Sequence, residues 1–253
     1  MKQTIILNSK YENLRSFVEN LPDHFEQDGD YIYGGRRNLI KKFTAPGGLE
    51  VNVKRYHPPH GPNLLVYSAG LRRPKGWRAY HYAQRLLAQD VSTPEPIAYI
   101  EQRNMGLLGQ SYFVSIQSPL SHTFYEFGDA QPGTYEDIAE TFGAFTAHLH
   151  EQQILHLDYS PGNILWDRDA QGNFHFTLVD INRMRFGKVS AADGASSLRR
   201  LWGPKHFFVL IAESYARHRH WPVEPFVKKA LQERERFWTR DIRKHGEHFH
   251  FEP

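Results

Sequence analysis

The stretch from residue 154 to residue 180 constrains this chain more than any other. It contains His156-Leu-Asp158-Tyr-Ser-Pro-Gly-Asn163-Ile-Leu-Trp and, after a polar turn, Phe176-Thr-Leu-Val-Asp180. Asn163 follows Asp158 by five residues and Asp180 follows it by twenty-two. Residues 163–166 read as a short strand, 167–173 as a turn and 174–179 as the return strand, a hairpin that brings Asn163 and Asp180 to one end. A lone His-x-Asp carries little information, because Asp and Asn near turns are mostly local caps. The full string, with its apolar strands and closing Asp, is far rarer.

Three oxygen-bearing side chains at these spacings suit phosphoryl transfer as protein kinases perform it. One Asp orients the acceptor hydroxyl and takes its proton. An Asn five residues later and a second Asp on the neighbouring hairpin hold the magnesium ions that bridge the phosphates. The expected fold is therefore α+β and protein-kinase-like in two lobes. An antiparallel-sheet N-lobe over residues 1–117 would bind nucleotide. A mainly helical C-lobe over 118–253 would carry the catalytic loop, the metal site and the substrate side, the two making one catalytic unit.

Composition narrows the alternatives. With 40% hydrophobic and 14% aromatic residues the chain is not disordered. No apolar run is long enough to span a membrane, and the first residues do not form a signal peptide. The absence of cysteine excludes disulfides and thiolate metal sites and fits a cytoplasmic setting. Fifteen histidines are dispersed without zinc-ligand spacing. A formal charge of +3 is no nucleic-acid signature. Its distribution is more telling: Arg72, Arg73, Lys75 and Arg78 form one basic group, Arg183, Arg185 and Lys188 a second, and Arg199, Arg200 and Lys205 a third. Each reads as a solvated face. The last two follow Asp180, where kinases bind substrate, which favours an anionic acceptor.

Along the chain, residues 1–34 read as an irregular lead-in with one helical prospect at 11–20. Residues 31–43 then read as strand, glycine turn, strand, and 49–56 as a third strand. In the third, Val51 and Val53 face one way and Asn52 and Lys54 the other, so Lys54 occupies the place of the phosphate-binding lysine of kinases. Gly34, Gly35 and Arg36 form a glycine turn that could cover the phosphates or simply close a hairpin. A helix from Pro74 or Lys75 to Gln89 presents Trp77, Tyr80, Ala83 and Leu87 on one face. It lacks the acid that pairs with the kinase lysine, since no Glu lies between Glu50 and Glu95, and His81 and Gln84 occupy the plausible places. Strands at 97–101 and 111–117 lead to a boundary near 117–121. Thr134-Tyr-Glu-Asp137 reads as a capping box, opening a helix whose buried stripe is Ile138, Phe142, Phe145 and Leu149. After Asp180 a loop over 182–197 is expected. Helices follow at 197–218, burying Phe207, Ile211 and Tyr215, and at 223–244, burying Val227, Leu231 and Trp238.

Taken together, these residues resemble the lipopolysaccharide kinase family, bacterial kinase-like enzymes that phosphorylate Kdo or heptose in the lipid A–core sugar. Three stretches carry the likeness. They are Gly35-Arg36-Arg37-Asn38-Leu39-Ile40-Lys41 with Val51-Asn52-Val53-Lys54, then Thr93-Pro94-Glu95-Pro96-Ile97-Ala98-Tyr99-Ile100, and finally His156–Asn163 with Val179-Asp180-Ile-Asn182-Arg183. The resemblance implies ATP and Mg2+ as cofactors and a sugar hydroxyl of an anionic, membrane-embedded glycolipid as acceptor. It also implies a cytoplasmic enzyme with peripheral contact at the inner membrane. Carried over by residue, Lys54 with Gly34, Gly35 and Arg36 holds the nucleotide, Asp158 is the base, Asn163 and Asp180 bind the metal, and His156 supports the loop. Ser160 stands where protein Ser/Thr kinases carry Lys, and no Ala-Pro-Glu follows Asp180, which favours a sugar or small-molecule acceptor over a protein. Two other readings stay open: a kinase for another acceptor, and a nucleotide-binding pseudokinase, for which the missing helix Glu speaks.

Overall fold

The alternation Val51-Asn52-Val53-Lys54 lies inside a six-stranded antiparallel sheet. The computed structural model describes residues 1–35 and 38–252. The chain forms two compact units, Met1–Pro119 and the residues from Leu120 onward. In the first, β1 (Lys2–Leu7), β2 (Asp30–Gly34), β3 (Asn38–Ala45), β4 (Leu49–Tyr56), β5 (Pro96–Asn104) and β6 (Leu107–Ile116) pair in the order β1-β5-β6-β4-β3-β2. Val51 and Val53 are fully buried on one face with Ile100, Tyr112 and Val114. A 3₁₀ turn (Ser9–Leu14) and α1 (Arg15–His24) cover that face with Tyr11, Leu14, Val18 and Leu21, joined by Phe25 just beyond the helix. Burying side chains of this size contributes about 1.5–3 kcal/mol each.

The lead-in is thus no irregular segment. β1 pairs with β5, Ile5 opposite Ile100. Its six residues end in three successive apolar ones, so no alternation marks it as a strand, and its partner lies almost a hundred positions away. On the other face of the sheet sit α2 (Pro62–Ser68), absent from the sequence reading, and α3 (Lys75–Leu87). α3 buries Gly76, Ala79, Tyr80, Ala83 and Leu86. Trp77 is only half-buried and Leu87 is exposed, so the stripe is rotated by about one residue from expectation. Gly76 explains the rotation: a Cβ there would stand 2.9 Å from the ring of Tyr99, and without one the helix seats directly on β5. β5 and β6 are longer than expected and turn at Met105 and Gly106, both at positive φ, as a tight hairpin requires.

The second unit is mainly helical, with α4 (Glu136–Glu151), α5 (Ala191–Leu198), α6 (Lys205–His218) and α7 (Val223–His245). Two small sheets accompany them, β10 (Phe174–Leu178)–β9 (Ile164–Arg168)–β7 (His122–Thr123) and β11 (Met184–Phe186)–β8 (Ile154–His156). Ile138, Phe142 and Leu149 of α4 are buried as the stripe requires, and Phe145 is half-buried. No capping box forms at Thr134. Its hydroxyl donates to Gln131 O at 2.7 Å, and the Glu136 carboxylate accepts from the amides of Gly133 and Tyr135 instead. The expected loop after Asp180 holds β11 and α5, and Ser190 with Asp193 forms the capping box that starts α5. The following helix begins at Lys205, not 197, because Gly203 at φ 124° and Pro204 break the chain. α7 buries Phe226, Ala230, Arg234 and Trp238 in place of Val227 and Leu231. Arg234 is the reason: its guanidinium donates to Glu252 O and Gly203 O, each at 2.7 Å, so the stripe runs through a charged residue.

Candidate active site

The Asp158 loop is built from its own backbone. β8 pairs with β11 and delivers the chain to Leu157, whose amide donates to Arg183 O at 2.8 Å. Ser160 N–H then returns to Asp158 O at 2.8 Å, and a 3₁₀ turn over Pro161–Asn163 leads into β9. Pro161 presets that turn. Gly162 is required there, since a Cβ would come within 2.7 Å of the Tyr125 ring. Tyr159 anchors the loop from below, stacked on Phe142 at 5.7 Å with its hydroxyl 2.9 Å from Thr146 Oγ1.

His156 ties the loop to the hairpin. Its Nδ1 accepts from Asp158 N–H at 3.0 Å, which makes Nε2 the protonated nitrogen that donates to Val179 O at 3.1 Å. Burial pushes its pKa down, so the ring is held neutral in the tautomer this pair of bonds needs. Asn163 closes the loop from the other end. Its Nδ2 donates to Asp158 O at 2.8 Å and to Ser160 Oγ at 3.1 Å, leaving Oδ1 as the donor atom for a cation. Val179 N–H donates to Asn163 O at 3.0 Å, and Leu178 pairs with Ile164, so Asp180 leaves the hairpin beside Asn163. Asp180 has φ 52°, a left-handed conformation that Asp tolerates better than most residues and that recurs at functional sites. Asn182 Nδ2 donates to its carboxylate.

The second unit therefore brings Asp158, Asn163 and Asp180 onto one loop and hairpin. A carboxylate and a carboxamide oxygen are hard donors that fit Mg2+, which keeps waters and phosphate oxygens for its remaining positions. Both oxygens of Asp158 are held by guanidinium groups. Arg183 Nη1 donates to Oδ2 at 3.1 Å, and Arg200 donates to Oδ1. The two arginines belong to the basic groups flagged in the sequence, but their pairing with Asp158 was not legible there, because Arg200 lies forty-two residues away.

Lys54 and the glycine turn belong to the first unit. Lys54 is buried on β4 between Ile40 and Phe113, its Nζ 5.5 Å from the Tyr56 ring centre. Gly35 N–H donates to Asn38 O at 3.0 Å and closes the β2–β3 hairpin, so in this conformation it serves the turn, not a phosphate. A Cβ on Gly34 would meet the Tyr31 ring at 2.9 Å. Arg36 lies outside the described residues. On α3, His81 lies tilted against Trp77 at 3.9 Å between ring centres, and Gln84 is exposed with its amide 3.3 Å from Tyr80 Oη. Neither supplies the acid that kinases place on this helix. Among the described residues no cluster of three His, Asp or Glu side chains forms a metal site, and no helix is long and apolar enough to cross a membrane.

The sequence profile of the lipopolysaccharide kinase (Kdo/WaaP) family matches residues 61–203. Among solved structures, WaaP in complex with acyl carrier protein superposes with a TM-score of 0.63 at 15% identity, covering 94% of this chain and 98% of that one. The Rio2 kinase–ADP/Mg2+–phosphoaspartate complex from Chaetomium thermophilum gives 0.50 at 13% identity, covering 96% and 77%. At these identities the likeness is one of fold, and the fold is protein-kinase-like. No curated protein matches significantly.

Proposed function

The chain belongs to the lipopolysaccharide kinase (Kdo/WaaP) family, and on that footing we propose that it transfers the γ-phosphoryl group of ATP, with Mg2+, to a hydroxyl of a lipopolysaccharide core sugar. The observation that carries this reading is the tied loop: Asn163 Nδ2 bonded to Asp158 O, with Val179 bonded to Asn163 O, so that base and metal donors sit on one rigid frame. Asp158 would orient the acceptor hydroxyl and accept its proton. Asn163 and Asp180 would hold the metal, which neutralises charge on the phosphates when bound. Lys54 would pair with the nucleotide phosphates, and the Gly34–Gly35 turn would approach them closely without spending the Gly35 amide. Arg183 and Arg200 would position Asp158, and one of them must yield an Asp158 oxygen to the incoming hydroxyl. Work on a membrane glycolipid would be peripheral, at the cytoplasmic face.

The test is phosphate transfer from labelled ATP to core glycolipid extracted from a Gram-negative envelope, with and without Mg2+. Asp158→Asn should lose about 10²–10⁴-fold in turnover while keeping its melting temperature and nucleotide affinity. Full activity in that variant would refute the assignment. The pseudokinase reading has one observation in its favour, that α3 carries no acid at His81 or Gln84. It predicts magnesium-dependent nucleotide binding with no transfer to any acceptor in a panel of core sugars, aminoglycosides and proteins.

A further inference from the structure

We propose that the end of the first unit formed by α2 and the β5–β6 turn is a docking surface for an anionic lipid bilayer. Such a surface gives the glycolipid kinase proposed above its way onto the membrane, and rests on that reading for its purpose. α2 is the point of departure. Its sequence Pro62-Asn-Leu-Leu-Val-Tyr-Ser68 is mostly apolar, yet the helix buries only Tyr67. Leu65 is 65% exposed, and Leu71, just beyond the helix, is 81% exposed. The β5–β6 turn behaves alike, with Met105 at 95% and Leu107 at 41%.

Single exposed apolar side chains are ordinary, whereas a contiguous group marks a surface with a use. Ser68 makes this group contiguous. Its hydroxyl accepts from Leu108 N–H at 2.9 Å, and Arg103 Nη1 donates to Ser68 O at 3.0 Å and to Gly106 O at 2.9 Å. The end of α2 is thereby tied to the hairpin tip. Leu65 lies one turn before Ser68 on the helix. Arg72 N–H donates to Val66 O at 3.3 Å, which folds Leu71 back against the same end. Arg72 and Arg73 follow directly. Both are exposed, their guanidiniums lie over the rings of Tyr67 and Trp77 at 5.6 and 5.0 Å, and among the described residues neither pairs with a carboxylate. No acidic residue occurs between Glu50 and Asp90, and Glu101 of β5 is paired with Arg103. Apolar tips beside arginines and aromatic rings suit a bilayer interface, where the tips enter the acyl boundary and the guanidiniums stay with the lipid phosphates. The two most exposed side chains stand on turns, which favours insertion over the flat, closely packed face of a protein interface.

The probes are vesicles of phosphatidylglycerol with phosphatidylethanolamine, compared with vesicles of phosphatidylcholine. At low salt the full chain should partition at least tenfold more strongly onto the first. Arg72→Ser with Arg73→Ser should weaken that partitioning about thirtyfold, at about fivefold for each arginine near an anionic surface. Leu71→Ser with Met105→Ser should weaken it about tenfold by removing the inserted tips. All four side chains are exposed, so melting temperatures should not change. The chain has no cysteine, so a polarity-sensitive dye can be attached in the Met105→Cys variant alone. The control is Asn13→Cys, exposed on the 3₁₀ turn that covers the opposite face of the sheet. Dye emission should shift to the blue on phosphatidylglycerol vesicles in the first and stay unchanged in the second. Asp158→Asn should bind vesicles within twofold of wild type. A chain that docks but phosphorylates no acceptor would therefore refute the kinase reading and leave the surface standing, whereas phosphate transfer without vesicle binding would refute the surface alone. Equal partitioning of wild type and both double variants, or equal dye shifts at the two positions, would also overturn it. Self-association abolished by Leu71→Ser, with no vesicle binding, would assign the face to a second copy of the chain instead.

Discussion

His156 shows what a buried polar residue does for the loop that carries Asp158. Both its nitrogens are spent on backbone groups, Asp158 N–H and Val179 O, and it is fully enclosed. It fixes the backbone at Asp158 and leaves the carboxylate free of its ring. A second neutral histidine lies deeper. His150 donates or accepts at 2.8 Å with Tyr215 Oη, and its pKa is pushed down to about 3, by burial first and then by Arg219. Protonation is thus disfavoured in the folded state, whereas the unfolded chain takes up the proton near pH 6.5. The stabilisation is fully present above that value and is lost as pH falls towards about 3. Between pH 6.5 and 5 the loss is about 2 kcal/mol, at about 1.4 kcal/mol per pH unit. Urea unfolding at pH 7 and pH 5 should therefore show wild type losing about 2 kcal/mol more than His150→Gln, which keeps a partner for Tyr215 but does not titrate. Equal losses would mean that His150 is not held neutral by the fold.

At the scale of elements, the close approach of helices is set by single glycines. α4 and α6 pack with Gly143 against Ser214; a Cβ on Gly143 would stand 2.5 Å from Ser214 Cβ and 2.7 Å from Ile211 O, neither of which can swing away. Gly143→Ala should cost about 1–3 kcal/mol through overpacking, despite alanine's better helix propensity. Thermal unfolding reads this as a clear drop in midpoint, and a rise would show that the helices can slide apart cheaply. Such a contact is invisible in sequence, where Gly143 reads only as a weak point in a helix. The elements that were legible carry their own period. β4 shows its two-residue alternation, α4 its apolar stripe, and the β9–β10 hairpin its turn around Gly172. β1, α2, β11 and α5 were not, because each is short and gains its stability from a partner. β11 exists because β8 lies opposite, and β1 because β5 does.

Across the whole chain, the candidate site divides into a legible part and a hidden one. Asp158, Asn163 and Asp180 were readable because one loop and one hairpin fix them locally. The arginines on Asp158 and the apolar patch around Ser68 were not, because both depend on residues brought together by tertiary structure. The N-terminal residues make the same point for stability. Tyr11, Leu14, Val18, Leu21 and Phe25 are buried against Val51, Val53, Tyr112 and Val114, so β1, the 3₁₀ turn and α1 complete one face of the sheet rather than lead into it. Lys41, buried on β3, depends on the same segment: its ammonium donates to the carbonyls of Phe25, Glu26 and Asp28 at 2.8–2.9 Å. Deleting residues 1–29 would expose that apolar face and strand a buried charge, a loss of several kcal/mol against a typical stability of about 5–15 kcal/mol. The truncated chain should lose protection from hydrogen exchange throughout β3 to β6 and lose nucleotide binding with it. Retained protection in those strands would show that the sheet stands without its N-terminal cover, and would return that segment to the peripheral role its sequence alone implies.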